Sequence, residues 1–433
     1  MPSAGFRSPK RRPDRLRRLR EGLGRARGFL GLRRSLVGLL GMVVLVGMGE
    51  HMAEQFLPLY LVALGGGFLS VGFLNGMDNL LGALYAFPGG YLADRIGTKR
   101  ALLLFNGMAM AGFLVVVLVP SWVAVLVGAA LFLSWTAISL PATMGLVARV
   151  LPANKRTMGV SLHSLVRRAP MALGPVLGGA FIGLWGVERG IRFAFLGALL
   201  MAGISILLQQ VLIEDDPGRG GASQRRAESN PLRLWRQMDK PLRELLLADI
   251  LVRFCEQIPY AFVVIWAVGT AAHPGPVSAI QFGVLRVVEM ATAILVYIPV
   301  AYLADRGRKK PFVVVTFVFF ALFPLVLWFS RSFGALVLAF VLRGLKEFGE
   351  PTRKALIMDL APDAHKAGMF GLYYLVRDVI VSLAAFGGAF LWSFRPEANL
   401  MAAFVFGLAG TLWFAWRGRD LGASRPAAKS QEG

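Results

Sequence analysis

The 433-residue sequence predicts an all-α integral membrane protein of twelve transmembrane helices, arranged as two pseudo-symmetric six-helix bundles. Three observations carry that expectation. Hydrophobic residues make up 56% of the chain, with 31 Phe and a mean hydropathy of +0.60, and they gather into runs long enough for helices of roughly 20 residues to cross a bilayer. The loops between the runs alternate between basic and nearly uncharged. The second half of the chain also repeats short patterns of the first.

The formal charge of +22 would suggest nucleic acid in a water-soluble chain, since clustered Lys and Arg neutralise phosphates. Its distribution points to topology instead, and no nucleic-acid partner is expected. Twelve basic residues lie in 1–34, directly before the first apolar run, and read as a basic cytoplasmic tail against anionic lipid. The tail does not fit a secretory signal, and Asp14, Glu21 and scarce Ser argue against a transit peptide. The single Cys255 lies in an apolar run, so no disulfide framework or Cys-based metal site is expected.

The apolar runs fall near 36–63, 69–92, 100–119, 122–149, 158–185, 191–213, 243–270, 277–303, 311–329, 333–359, 367–393 and 398–417. Arg95, Lys99, Lys155, Arg306, Lys309 and Lys366 mark one set of loops as cytoplasmic, and both termini with them. Residues 35–213 form an N-terminal bundle and 243–418 a C-terminal one. Between them 214–242 reads as a flexible cytoplasmic linker with a short interfacial helix near Leu232–Met238, and 419–433 as a cytoplasmic tail.

The halves are copies. GGYLADRIGTKR at 89–100 matches VAYLADRGRKK at 300–310, and LPATMGLVARVLPANKRTMG at 140–159 matches EPTRKALIMDLAPDAHKAGM at 350–369 at a constant offset of 210. Leu165 to Arg168 matches Leu375 to Asp378 at that same offset. Duplication of a six-helix unit is a transporter architecture, with the substrate site at mid-membrane between the halves.

The run from Gly90 through Asp94, Arg95 and Gly97 to Lys99 resembles the loop signature of the major facilitator superfamily, with Thr98 in place of its Arg. Asp305-Arg306-Gly307-Arg308-Lys309 is a weaker second copy. The resemblance implies the major facilitator fold, alternating access around a central cavity, and a gating role for Asp94, Arg95, Asp305 and Arg306. Gly174-Pro175-Val176-Leu177-Gly178-Gly179 is similar to the core of the antiporter motif of family exporters; ordinary small-residue helix packing explains the same residues.

Ionisable groups inside membrane helices are costly and face a cavity or a partner. In the first run Gly47, Glu50, His51, Glu54 and Pro58 share one face of what reads as a single continuous helix, and in the seventh Asp249, Arg253, Glu256 and Tyr260 do the same. The tenth carries Arg343, Lys346, Glu347, Glu350 and Lys354 as one stripe, and the fifth and eleventh carry Arg167, Arg168, Arg377 and Asp378. The duplication sets Glu54-Gln55 against Glu256-Gln257, Asp78 against Glu289 and Arg167 against Arg377, which predicts a two-fold ring of charge around the cavity. Most of these groups are expected to pair internally, Glu54, Glu256 and Glu289 with Arg167, Arg253, Arg286 and Arg377.

One carboxylate is expected to carry a proton: Glu54 or Glu256 first, then Glu347, with Glu50 beside them. The expected function is transport of a small organic solute, leaning to proton-coupled export. Uptake of an organic anion clamped by Arg167, Arg168, Arg253 and Arg377 is the alternative, and a non-transporting sensor or lipid scaffold is another. No catalytic set, metal site or cofactor is expected, and the chain reads as a monomer of a bacterial inner membrane.

Overall fold

The computed structural model describes residues 34–133, 135, 156–213, 231–271, 273–304, 309–362 and 366–419. Among the described residues the chain is helical, with one isolated bridge between Gly269 and Pro274 and no strand. The helices are α1 (Arg34–Glu54), α2 (Leu57–Ala63), α3 (Gly67–Ile96), α4 (Thr98–Leu118), α5 (Trp122–Phe132), α6 (Arg156–Leu212) and α7 (Pro231–Gln237). They continue with α8 (Lys240–Gln257), α9 (Val263–Val268), α10 (Ala279–Ala304), α11 (Lys309–Phe329), α12 (Phe333–Leu345), α13 (Glu350–Leu360), α14 (Lys366–Phe394) and α15 (Pro396–Arg417). Eight helices among the described residues are long and apolar enough to span a bilayer. As one straight helix, the 57 residues of α6 would run about 85 Å, far more than one crossing. Gly186, at φ +76°, turns the chain back inside it, so α6 holds two of the expected spans.

The first run is not one continuous helix. It breaks at Gln55–Phe56, and Pro58 starts α2, because Pro fits the first turn of a helix, where its missing N–H costs nothing. The seventh run breaks at the equivalent place, after Glu256-Gln257, where Pro259 leads into a 3-10 turn, Tyr260–Phe262. The tenth run breaks as well, at Lys346–Gly349, so its charges do not form one straight stripe. Each break frees backbone groups that need partners in a membrane. At the seventh, the Ile258 carbonyl accepts from Asn399 Nδ2 at 3.0 Å, and the same amide reaches the Gly388 carbonyl at 2.7 Å. Asn399→Leu is therefore expected to cost about 1–3 kcal/mol by stranding the Ile258 carbonyl, read as a lower Tm in detergent.

Each half has its own aromatic core, Phe113, Phe132 and Phe195 in one, with Phe317 on Phe414 in the other. Large apolar side chains such as Leu184, Leu295, Phe390 and Trp416 are more than 70% exposed, a surface that lipid covers. The halves meet along two seams. α3 crosses α14, where Gly72 lies on Ala389 and Phe73 packs edge-on to Phe386 at 5.9 Å. The first span of α6 crosses α10, with Gly179 against the Ala279 carbonyl and Gly283 against that of Pro175. Phe68 of α3, Trp392 of α14 and Phe262 of the 3-10 turn pack together at the first of these seams.

Candidate functional site

The breaks in the first and seventh runs face each other across a central cavity. Glu54, Gln55, Pro58, Asn75 and Asp78 line it from one half, and Tyr260, Val263, Phe282 and Arg343 from the other. As it stands the cavity holds about 50 Å³, room for a few waters. Asn75 donates to the Gln257 carbonyl at 3.2 Å and Asn79 to Gln257 Oε1 at 3.2 Å, tying the halves together at its edge. The duplicated Glu-Gln pair thus places both residues of its first copy in the cavity lining and Gln257 of the second at its edge.

The N-terminal wall is acidic. His51 Nδ1 lies 2.8 Å from Glu54 Oε2, since positions three apart share a helix face. Asp78, one helix away and within reach of the Glu54 charge, makes no hydrogen bond or ion pair among the described residues. Glu50 is 5% exposed and turns away from the cavity lining, with Arg167 of α6 within reach of its charge.

Behind the C-terminal wall, which Arg343 enters as its one charged residue among the described residues, runs a continuous chain of ion pairs. Glu289 takes Arg286 in a short contact, Arg343 at 3.4 Å and Lys346 at 3.9 Å. Lys346 also reaches Glu256 at 2.6 Å, and Glu256 takes Arg253 at 2.5 Å. Arg253 continues to Glu350 at 3.5 Å and Asp249 at 3.9 Å. Asp249 is bound by Arg353 in a second short contact, by Arg377 at 3.4 Å and by the Tyr373 hydroxyl at 3.0 Å. Arg377 passes on to Asp378, and Glu350 takes Arg353 and Lys354.

The expected two-fold ring of charge is therefore lopsided. Glu256 and Glu289 pair with Arg253 and Arg286, as the spacing suggests, but Glu54 has the imidazole of His51 and not an arginine. The charges of the tenth run, which have no counterpart in the first half, are what complete the C-terminal chain. Arg353 at its centre is 1% exposed and was not among the residues the sequence singles out. Its only sequence signal is its place three residues after Glu350, because its main partner lies 104 residues away. Tyr373 escaped in the same way.

Outside the cavity, Arg168 reaches across the halves to Glu347 at 3.7 Å, with about a quarter of each side chain exposed. In the loop signature, Gly90 and Asp94 lie on α3, Arg95 is exposed in its last turn, and Gly97 takes φ +89° between α3 and α4, a conformation that favours glycine. Asp305, Arg306 and Gly307 lie outside the described residues. The Gly-Pro stretch packs helices: a side chain on Gly174 or Gly178 would strike the backbone at His51–Met52, while Pro175 and Gly179 face α10. Among the described residues no cluster of three metal-ligating side chains occurs.

The model of the Major Facilitator Superfamily matches the chain twice, over residues 39–284 and 245–432. The chain belongs to the Major Facilitator Superfamily. It is a multi-pass membrane protein with that family's transporter fold. An uncharacterised MFS-type transporter of Methanocaldococcus jannaschii is 20% identical over 388 residues, covering 84% of this chain and 90% of its own. The fold is shared with the peptide transporter POT in complex with sulfate, at a TM-score of 0.72 and 16% identity over 90% of this chain and 95% of that one. It is shared equally with a mutant of the nucleoside transporter NupG, at 0.72 and 13% over 88% and 98%.

Proposed function

We propose that this Major Facilitator Superfamily member is a proton-coupled secondary transporter that exports a small organic solute by alternating access. The observation that carries the reading is the acidic wall of the central cavity, where Asp78 and Glu54, the latter paired to His51, face the space between the halves with no lysine or arginine bound to them among the described residues. A proton taken up there changes the charge of the cavity without breaking an ion pair. Proton and solute cation competing for one carboxylate give exchange, which is why export is the direction proposed. Glu256 is the poorer carrier, because protonating it would break two close pairs.

The moving bodies in this reading are 35–213 and 243–418, joined by 214–242, and Asp94 and Arg95 gate the face opposite the two seams. Both termini lie in the cytoplasm of a bacterial cell, and the protein works as a monomer in the inner membrane. The likeness to transporters of peptides and nucleosides supports a small organic cargo. Uptake of an anion clamped by arginines has less support, since Arg253 and Arg377 are already held by Glu256, Glu350, Asp249 and Asp378.

A spin-label pair across the α3 and α14 seam tests the coupling without any solute. In wild-type protein in liposomes, the distance distribution is expected to shift between pH 5 and pH 8. In the Glu54→Gln, Asp78→Asn double variant the distribution should stay fixed. A shift that survives in that variant removes the proton assignment.

A further inference from the structure

The two walls of the central cavity are opposite in sign, and each carries a charge that no partner in the structure fully answers. Asp78 has no cation and no hydrogen-bond donor among the described residues. Opposite it, Arg343 is 4% exposed, yet none of its N–H groups makes a hydrogen bond among the described residues. Only its Nε approaches a carboxylate, that of Glu289 at 3.4 Å, which already takes Arg286 and Lys346.

Three aromatic rings surround the Arg343 guanidinium, those of Tyr260, Phe323 and Phe340, at 5.5, 5.2 and 5.7 Å. They steady the cation and leave its planar fork, suited to a carboxylate, without an acceptor. Its unused N–H groups open onto the cavity, so the fork marks a place where a ligand oxygen belongs. Asp78 and Arg343 line one cavity from opposite halves and do not pair with each other.

We propose that the transported solute is a small zwitterion, its ammonium group on Asp78 beside Glu54 and its carboxylate on Arg343. This rests on the cavity being the substrate site of a transporter. A simple amine leaves Arg343 unanswered. A simple carboxylate leaves Asp78 unanswered and brings a second negative charge near Glu54. The tight cavity limits the solute to a short chain, and the zwitterion also touches both halves at once, as a solute that drives their closure must.

Thermal stabilisation of the full-length protein in detergent, at one pH and with no gradient, reads binding whether or not protons are coupled. The probes are linear ω-amino acids from glycine to 6-aminohexanoate, each beside its matched alkylamine and alkyl carboxylate. At least one amino acid is expected to raise Tm where neither matched probe does. Arg343→Gln should weaken its apparent affinity about tenfold or more, the scale of a charge-assisted hydrogen bond, and bring the amine level with it. Asp78→Asn should do the same for the carboxylate, and Arg343→Lys should retain part of the selectivity, which keeps the test open if the Gln variant fails to fold. The proposal is overturned if an amine or carboxylate alone stabilises as well as the amino acid, if no amino acid stabilises, or if Arg343→Gln leaves the selectivity intact. Selective binding without the pH-dependent distance shift would end the coupling reading and leave the zwitterion site standing.

Discussion

Asp249→Asn is expected to cost about 3–5 kcal/mol, because it removes one of the two carboxylates that hold Arg353, a guanidinium that is 1% exposed, and leaves Glu350 to answer it beside Arg377 and Arg253. For a half of this size that is a fall in Tm of roughly 6–20 °C, measurable by fluorescence in detergent. Removing both partners should hurt less than removing one. In the Asp249→Leu, Arg353→Met double variant, Arg377 keeps Asp378, and Glu350 keeps Arg253 and Lys354, so no bare charge is left inside. A drop below a degree for Asp249→Asn would show that the C-terminal ion-pair chain is solvated and not structural.

The second large effect is conformational. A Cβ on Gly179 would lie 2.4 Å from the Ala279 carbonyl, and one on Gly72 would lie 2.2 Å from the Ala389 Cβ and 3.0 Å from the Ala385 carbonyl. Neither backbone can yield, so Gly179→Val and Gly72→Val should wedge the seams apart without touching the charged walls. A cysteine placed at Val264, which lines the cavity, then reports on access, since the native Cys255 is fully buried. Labelling by a membrane-impermeant maleimide is expected to rise at least about tenfold in either glycine variant, a shift in population that roughly 1.4 kcal/mol of differential strain supplies. An unchanged rate with a lowered Tm would mean that the seams are static packing.

Much of this fold is written in the order of the residues. Apolar runs, alternating basic loops and the repeat at offset 210 predict helices and halves, because membrane solvation restricts backbones to few solutions, and the resemblance of the Gly90–Lys99 loop adds the family. The breaks were legible too. Pro58 and Pro259 follow the duplicated Glu-Gln pair at once, and Gly349 with Pro351 interrupts the tenth run. The regular spacing of charge there favours an unbroken stripe only if those punctuating residues are ignored.

Partner choice was not legible. Helical spacing foretells contacts three or four residues apart, such as His51 with Glu54 and Arg286 with Glu289. It is silent on Asp249 with Arg353 or Lys346 with Glu256, where tertiary packing decides which carboxylate each cation meets. The same blindness hid the contrast between the walls. The repeat aligns acid with acid across the halves, yet in space one set is neutralised and the other is not.

That contrast has a consequence for stereochemistry. Two identical halves related by a two-fold axis cannot sustain a field across the axis between them, because every transverse component is cancelled by its copy. A solute in such a site has two equivalent ways to lie. Once the copies differ, with Asp78 and Glu54 on one side and Arg343 on the other, the ends of the site are no longer interchangeable, and a solute held as proposed would have a single orientation. Fixing two points of a molecule in one direction leaves its remaining substituent to meet one particular flank, such as Tyr260 or Phe282, and a mirror image meets another. Divergence of the two copies is thus what would let a carrier built by duplication tell left-handed from right-handed cargo.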